Sequence, residues 1–223
     1  MRHTRVRLSL LALLVGLISS GPAFAGDTPV TMDFQSVGGE SGGGFYTYPY
    51  YFSINGAAST PLICDNFDNE IAAPETWTAN VNSLLTAGTP GNGYYSALSG
   101  AQTLYDAAGL IFEAILTNQI GSAQGNWAIW GLFSANAQSN SYFIGSGANT
   151  IASEYLNMAE TDMADNDLPA YLDNMVVYTP VGGSAGGSGP QEFIGIAPEP
   201  ASLLLFGSGL ALLGGVIRKR RRS

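Results

Sequence analysis

The chain has 223 residues, a formal net charge of −9 at pH 7 and 46% hydrophobic residues. Its 8 Lys and Arg and its 1 His all lie within residues 1–7 and 218–222, so residues 26–197 contain no basic side chain. This excludes from the body Ser-His-Asp and Cys-His nucleophile pairs, imidazole metal sites and Lys Schiff bases. It also excludes a basic nucleic-acid footprint, whereas a pair of glycosidase-type carboxylates remains compatible.

The first 25 residues have the pattern of a secretory signal peptide. A basic start precedes the apolar stretch Leu8–Ile18, and Ala23–Ala25 is a small-x-small cleavage site. We expect export through the Sec translocon and removal of residues 1–25 by signal peptidase. The remaining chain then begins with an acidic globular domain, which we place at residues 26–181.

Strand patterns predominate in the first third of this domain. Apolar alternation and β-branched or aromatic runs predict strands at residues 27–37, 45–55, 61–67 and 75–81. Pro49 interrupts the second strand or places it at an edge. We expect its aromatic residues to pack on a core. The alternative is a platform for sugar rings, because Tyr46, Tyr48, Tyr50 and Phe52 alternate on one side.

The period then changes to that of helices, and strands return before the end. Helices are predicted at residues 101–118, 122–133 and 150–164, and a closing strand at residues 174–179. The Gly/Ser-rich residues 182–197 predict a linker and tether, with a short strand or tether at 191–194. The pattern favours an α+β fold of antiparallel strands with a central helical region; the alternative is a β-sandwich with helical insertions.

Cys64 is the one cysteine of the chain, so it cannot form an intrachain disulfide, and we expect a buried, inert thiol. However, Leu62-Ile63-Cys64 and Ala128-Ile129-Trp130 resemble the thioester domains of bacterial surface adhesins. That resemblance implies a bond between Cys64 and an amide side chain, which captures nucleophiles. Where the family has Gln, this chain has Asn126, and Gln124 lies two residues further upstream.

Two acidic clusters offer oxygen ligands of the kind that Ca²⁺ prefers. Neither has the glycine and terminal glutamate of the twelve-residue calcium loop, so solvated loop charge is the alternative. Calcium is the one cofactor that the sequence suggests, and its candidate ligands are Asp65, Asp68 and Glu70 in one cluster and Asp162, Asp165 and Asp167 in the other.

Three parts follow one another at the end of the chain: Pro198-Glu199-Pro200, the uncharged run 201–217 and a basic tail. The prolines predict an extended break. The apolar run predicts a helix of about 25 Å, at the short end of what spans a bilayer. We expect the tail to stay on the cytoplasmic side of the inner membrane; it consists of Arg218, Lys219, Arg220, Arg221 and Arg222.

This order of parts resembles the PEP-CTERM sorting signal of bacteria that make exopolysaccharide. The resemblance implies that an exosortase recognises Pro198-Glu199-Pro200, cuts nearby and passes the protein to the cell surface or extracellular matrix. An ordinary anchor that is never cut is the alternative.

The sequence therefore predicts a non-enzymatic structural or adhesive protein of an exopolysaccharide biofilm, with the polysaccharide matrix as partner. A thioester-type covalent adhesin and a carbohydrate-active enzyme that uses only carboxylates are the alternatives.

Overall fold

The computed structural model describes residues 29–165, 168–187 and 189–197. These residues belong to one compact unit that extends from Gly26 to Ala197. The predicted signal peptide, the motif Pro198-Glu199-Pro200, the helix 201–217, the basic tail and the calcium candidate Asp167 lie outside the described residues.

Six strands form a closed antiparallel barrel in the order β1-β4-β5-β8-β7-β6, and β2 and β3 form a separate hairpin. The strands are β1 (Val30–Val37), β2 (Ser41–Gly42), β3 (Phe45–Tyr46), β4 (Tyr50–Ile54), β5 (Thr60–Cys64), β6 (Glu75–Ser83), β7 (Met175–Pro180) and β8 (Phe193–Ile196). The predicted antiparallel strands are thus present, but they close on themselves and do not form the alternative sandwich.

Aromatic side chains fill the barrel. Phe34 of β1 and Phe52 of β4 lie 5.2 Å apart between ring centroids, and Phe52 lies 4.7 Å from Phe193 of β8. All three are at most 3% exposed. Because strands from the start and the end of the domain share this core, its burial stabilises the pairing of these strands in the barrel.

The helices lie between β6 and β7 in the chain, as the sequence predicts. They are α1 (Ala101–Leu116), α2 (Ser122–Phe133), α3 (Ala135–Ser139), α4 (Ser141–Gly145) and α5 (Ala148–Asp165), with 3-10 turns at Leu84–Thr86 and Ala170–Asn174. The three longer helices pack against one another, and α2 also contacts β2 and β5. The domain is therefore a mixed α+β fold in which helices cover part of a barrel.

The predicted domain end at residue 181 needs correction. The Gly/Ser-rich stretch is a loop inside the domain, because β8 follows it and pairs with both β5 and β7. Asn69 holds this loop: its side-chain amide donates to the carbonyls of Ser184 (3.1 Å) and Gly189 (3.0 Å). Without β8 the barrel would stay open, so the domain extends to Ala197.

Across residues 29–165, 168–187 and 189–197, no helix combines the length and the apolar character needed to cross a bilayer.

Candidate functional site

A cavity of about 660 Å³ opens on the surface beside the β2–β3 hairpin. We call it the aromatic pocket, because six aromatic side chains line it: Phe34, Phe45, Tyr46, Tyr50, Phe67 and Trp130. They come from four separate segments of the chain, which the barrel and α2 bring together. Its volume is typical of small-molecule sites.

Two hydrogen bonds hold the β2–β3 hairpin, which carries Phe45 and Tyr46. The Trp127 indole N–H donates to the Gly42 carbonyl (3.0 Å), and the Tyr50 hydroxyl donates to the Tyr46 carbonyl (2.5 Å). The Phe45 ring lies 5.0 Å from the Phe67 ring. Although this packing anchors the hairpin, Phe45 and Tyr46 remain 42% and 60% exposed at the rim.

A β-bulge in β1 supplies polar side chains to the wall of the aromatic pocket. Phe34 pairs with Phe52 and Ser36 pairs with Tyr51, so Gln35 is the extra residue on β1. Pairing of β1 with β6 ends at Phe34, so the strand beyond it is not paired on that side. Bulges redirect side chains, and here the exposed Gln35 and Ser36 line the pocket.

The predicted alternation of Tyr46, Tyr48, Tyr50 and Phe52 does not form a flat platform. Phe52 is fully buried and Tyr50 is 5% exposed, which confirms the expected core packing for these two. The Tyr48 ring packs edge-on against Phe112. Of these four residues, Tyr46 and Tyr50 line the aromatic pocket. They belong to different strands, since β3 ends at Tyr46 and β4 begins at Tyr50.

Beneath this region, Asp65 and Glu192 form a fully buried carboxyl pair. Glu192 accepts three hydrogen bonds, from the Tyr105 hydroxyl (2.6 Å), the Tyr94 N–H (2.8 Å) and the Thr179 hydroxyl (2.5 Å). Neither carboxyl oxygen of Asp65 accepts a hydrogen bond from another group. A proton held between Asp65 and Glu192 would give Asp65 a hydrogen-bond partner.

Burial raises the pKa of both carboxyl groups, and the charge of Glu192 raises the pKa of Asp65 further. Two carboxylates in contact share a proton more readily than they ionise together. Because hydrogen bonds from Thr179, Tyr105 and Tyr94 favour the anion of Glu192, the proton belongs on Asp65.

Cys64, Asn126 and Gln124 are not assembled as a reactive thiol and amide. Cys64 is a free, fully buried cysteine, and its thiol donates to the Asn66 carbonyl (3.1 Å). Asn126 does lie beside Cys64, but its amide donates to the Cys64 main-chain carbonyl (2.8 Å). The Gln124 amide donates to the Ser146 carbonyl. Burial, followed by the charge of Asp65, raises the pKa of the thiol, which keeps it protonated.

The first calcium cluster is dispersed by the fold. Asp65 is buried against Glu192, while Asp68 accepts from Ser134 (3.0 Å) and Asn136 (2.8 Å). Glu70 is exposed and lines the aromatic pocket. Asp162 and Asp165 lie near the end of α5. Within the part of the chain that the structure describes, no group of three His, Cys, Asp or Glu residues could hold a metal ion.

The roles of two residues, Gln35 and Glu192, were not predicted from the sequence. Gln35 gave no signal, because a bulge depends on the pairing of strands that are distant in sequence. Glu192 did give one: it is a charged residue directly before the apolar run Phe193–Ile196, where a buried charge needs a partner.

The end of the chain is the part that comparison with known proteins identifies. Residues 197–222 match the model of the PEP-CTERM protein-sorting motif. No curated protein and no solved structure matches the chain. The match confirms the sorting signal predicted from Pro198-Glu199-Pro200, the apolar run and the basic tail. The chain therefore carries a PEP-CTERM protein-sorting motif, and is an exported protein that an exosortase sorts.

Proposed function

We propose that this chain is a non-enzymatic surface or matrix protein, and that its barrel domain is a structural or adhesive component of an exopolysaccharide biofilm. The observation that carries the proposal is the order of parts. The barrel ends with β8 at Ile196, and the sorting motif begins at the next residue. The whole folded domain is thus the cargo of the signal.

The distribution of carboxylates supports binding over hydrolysis. A glycosidase needs two carboxyl groups that flank the sugar. The aromatic pocket is lined by a single acidic residue, Glu70, among the residues that the structure describes. The buried pair, Asp65 and Glu192, has no solvent-exposed surface. Neither arrangement gives an acid and a nucleophile access to the same sugar.

The test compares three strains of the native host: one with the intact gene, one without it, and one in which Pro198 and Pro200 are replaced by Ala. Intact mass spectrometry locates the chain in membrane, surface and medium fractions. We expect a species that ends near Pro198-Glu199-Pro200 in the matrix of the first strain only.

We also expect the strain without the gene to form a biofilm that disperses at lower shear. A chain that stays in the inner membrane with its basic tail, or a biofilm unaffected by the deletion, would contradict the proposal. Release of sugars from the exopolysaccharide by the purified chain would instead favour the carbohydrate-active enzyme.

A further inference from the structure

We propose that the aromatic pocket binds a short segment of an uncharged glycan. This inference rests on the proposed function, because it names the ligand through which the domain would hold to a polysaccharide matrix. Its test below is a binding measurement, which does not depend on where the protein is sorted.

The pocket presents the kind of surface on which sugar rings pack. Sugar rings carry apolar C–H faces that pack on aromatic rings, and aromatic side chains offer rigid contact area. Phe45 and Tyr46 stand at the rim, while Trp130 (2% exposed) and Tyr50 (5% exposed) form the inner surface. The hydrogen bond of the Tyr50 hydroxyl to the Tyr46 carbonyl fixes Tyr50, and contacts with Phe67 fix the rings of Phe45 and Trp130, before any ligand binds. This order reduces the entropy lost on binding.

Hydrogen-bonding side chains lie next to the aromatic rings of the pocket. Gln35, Ser36 and Glu70 are exposed at the pocket, and none of their side chains hydrogen-bonds to another described residue. Together they offer donors and acceptors. A purely apolar ligand would leave them without partners, whereas sugar hydroxyl groups can both donate and accept.

The charge of the domain favours an uncharged ligand. Residues 26–197 contain no Lys, Arg or His, and all 17 acidic residues of the chain lie between Asp27 and Glu199. A carboxylated or sulfated glycan would find no cation in the pocket and would meet Glu70 instead. Electrostatics therefore selects an uncharged chain over an anionic one.

A ligand cation is the competing occupant, because aromatic rings and a carboxylate also attract ammonium groups. Such ligands need rings arranged around one point. Here the Phe67 ring packs against Phe45 (5.0 Å) and Trp130 (5.2 Å), so these three rings form one continuous wall of the pocket. The arrangement is a surface with polar neighbours, which suits a sugar ring better than an ammonium group.

The experiment uses the full chain, purified in a detergent without a sugar headgroup. Calorimetry and tryptophan fluorescence measure binding of three neutral hexasaccharides (β-1,4-glucan, β-1,4-mannan and α-1,6-glucan), of an oligogalacturonate of equal length, and of choline. We expect at least one neutral hexasaccharide to bind with a Kd of about 10 µM to 1 mM, and both other probes to bind at least tenfold more weakly.

Two variants test the location of the site. Tyr46→Ala should weaken binding at least tenfold, whereas Tyr155→Ala, a matched change of a half-buried tyrosine on α5, should leave it unchanged. Glu70→Gln removes the charge and keeps a hydrogen-bonding group: the oligogalacturonate should bind this variant more tightly than the wild-type chain, whereas choline would lose most of any affinity that it has for the pocket. Because Tyr46 is 60% exposed, its replacement should not unfold the barrel, and circular dichroism checks this.

The inference is overturned if none of the three neutral hexasaccharides binds at about 10 mM. That concentration is about tenfold above the weakest Kd that we expect, so binding would be detected. It is also overturned if choline or the anionic probe binds more tightly, or if Tyr46→Ala and Tyr155→Ala behave alike. A chain that binds a neutral probe but never leaves the inner membrane would refute the proposed function and leave this inference standing.

Discussion

Asp65, the residue after β5, and Glu192, the residue before β8, lie side by side in the buried interior of the domain. Cys64 of β5 pairs with Phe193 of β8, and the Asp65 N–H donates to the Glu192 carbonyl at 3.4 Å. Both side chains are fully buried. The closing seam of the barrel therefore contains two acids, and its stability depends on their protonation.

We predict that the barrel loses stability as pH rises, and that Asp65→Asn removes most of this dependence. Burial raises the folded-state pKa of both carboxyl groups above that of the unfolded chain. The contribution of these carboxyl groups to the free energy of unfolding is thus complete below about pH 4, and it is lost as pH rises through the folded-state pKa. Urea unfolding between pH 4 and pH 9 measures it.

One proton bound more tightly in the folded state gives a slope of at most about 1.4 kcal/mol per pH unit. Glu40→Gln, a change of an exposed acid, is the control and should keep the wild-type slope. An unfolding free energy of the wild-type chain that rises from pH 5 to pH 9 would contradict the shared proton.

Asp106 on α1 gives a second, separate pH dependence. It is fully buried, one oxygen accepts from Gln102 (2.8 Å) and the other has no partner. Burial raises the pKa of Asp106 to about 6. Because this is above the unfolded value, the stability that Asp106 contributes falls between about pH 4 and pH 7. Asp106→Asn should reduce the loss over that interval by about 2–3 kcal/mol, as read from urea midpoints.

The double role of Asn126 predicts a large effect of its removal. Its oxygen accepts from the Tyr48 N–H (2.8 Å) and its nitrogen donates to the Cys64 carbonyl (2.8 Å), so it ties β5 to the segment before β4. Asn126→Ala leaves both groups without these partners and should cost about 2–4 kcal/mol. Asn136→Ala, which loses one exposed bond to Asp68, should cost less than about 1 kcal/mol.

Asn126→Ala, compared with the wild-type chain, also reports on the accessibility of the Cys64 thiol. We expect one thiol to react with a thiol reagent after unfolding, slowly in the native wild-type chain and faster in Asn126→Ala. An unfolded wild-type chain with no titratable thiol, and an intact mass lower by one ammonia, would show the thioester that the resemblance implies.

Close packing of the helices predicts that Gly131→Ala is destabilising. A Cβ at Gly131 of α2 would overlap the ring of Phe143 on α4, which is 7% exposed. Relief requires the ring or the helix to shift, at about 1–3 kcal/mol. Gly145→Ala is the matched control, since nothing lies within 4 Å of its Cβ. Thermal melting compares the two, and equal melting temperatures would rule out a tight contact.

Local patterns predicted the elements far better than the site. The helical periodicity and the turn residues are enough to predict α1 and α2. Their predicted bounds differ from the observed ones by two residues at most. Glycines predict a linker at residues 182–189, but the conformation of a glycine-rich stretch depends on what anchors it. Here Asn69, more than 100 residues earlier, supplies the hydrogen bonds.

By itself the sequence determined that an exosortase sorts this protein, because a sorting signal is read as a linear segment: two prolines, an uncharged run and a basic tail. It likewise determined which chemistry is absent from the body, since that follows from composition. Only the tertiary structure decided that β8 closes a barrel, that Asp65 meets Glu192, and that Tyr46 joins Gln35 at one pocket. Each of these contacts joins residues separated by a bulge, a hairpin or most of the domain, and the burial that selects them exists only in the folded chain.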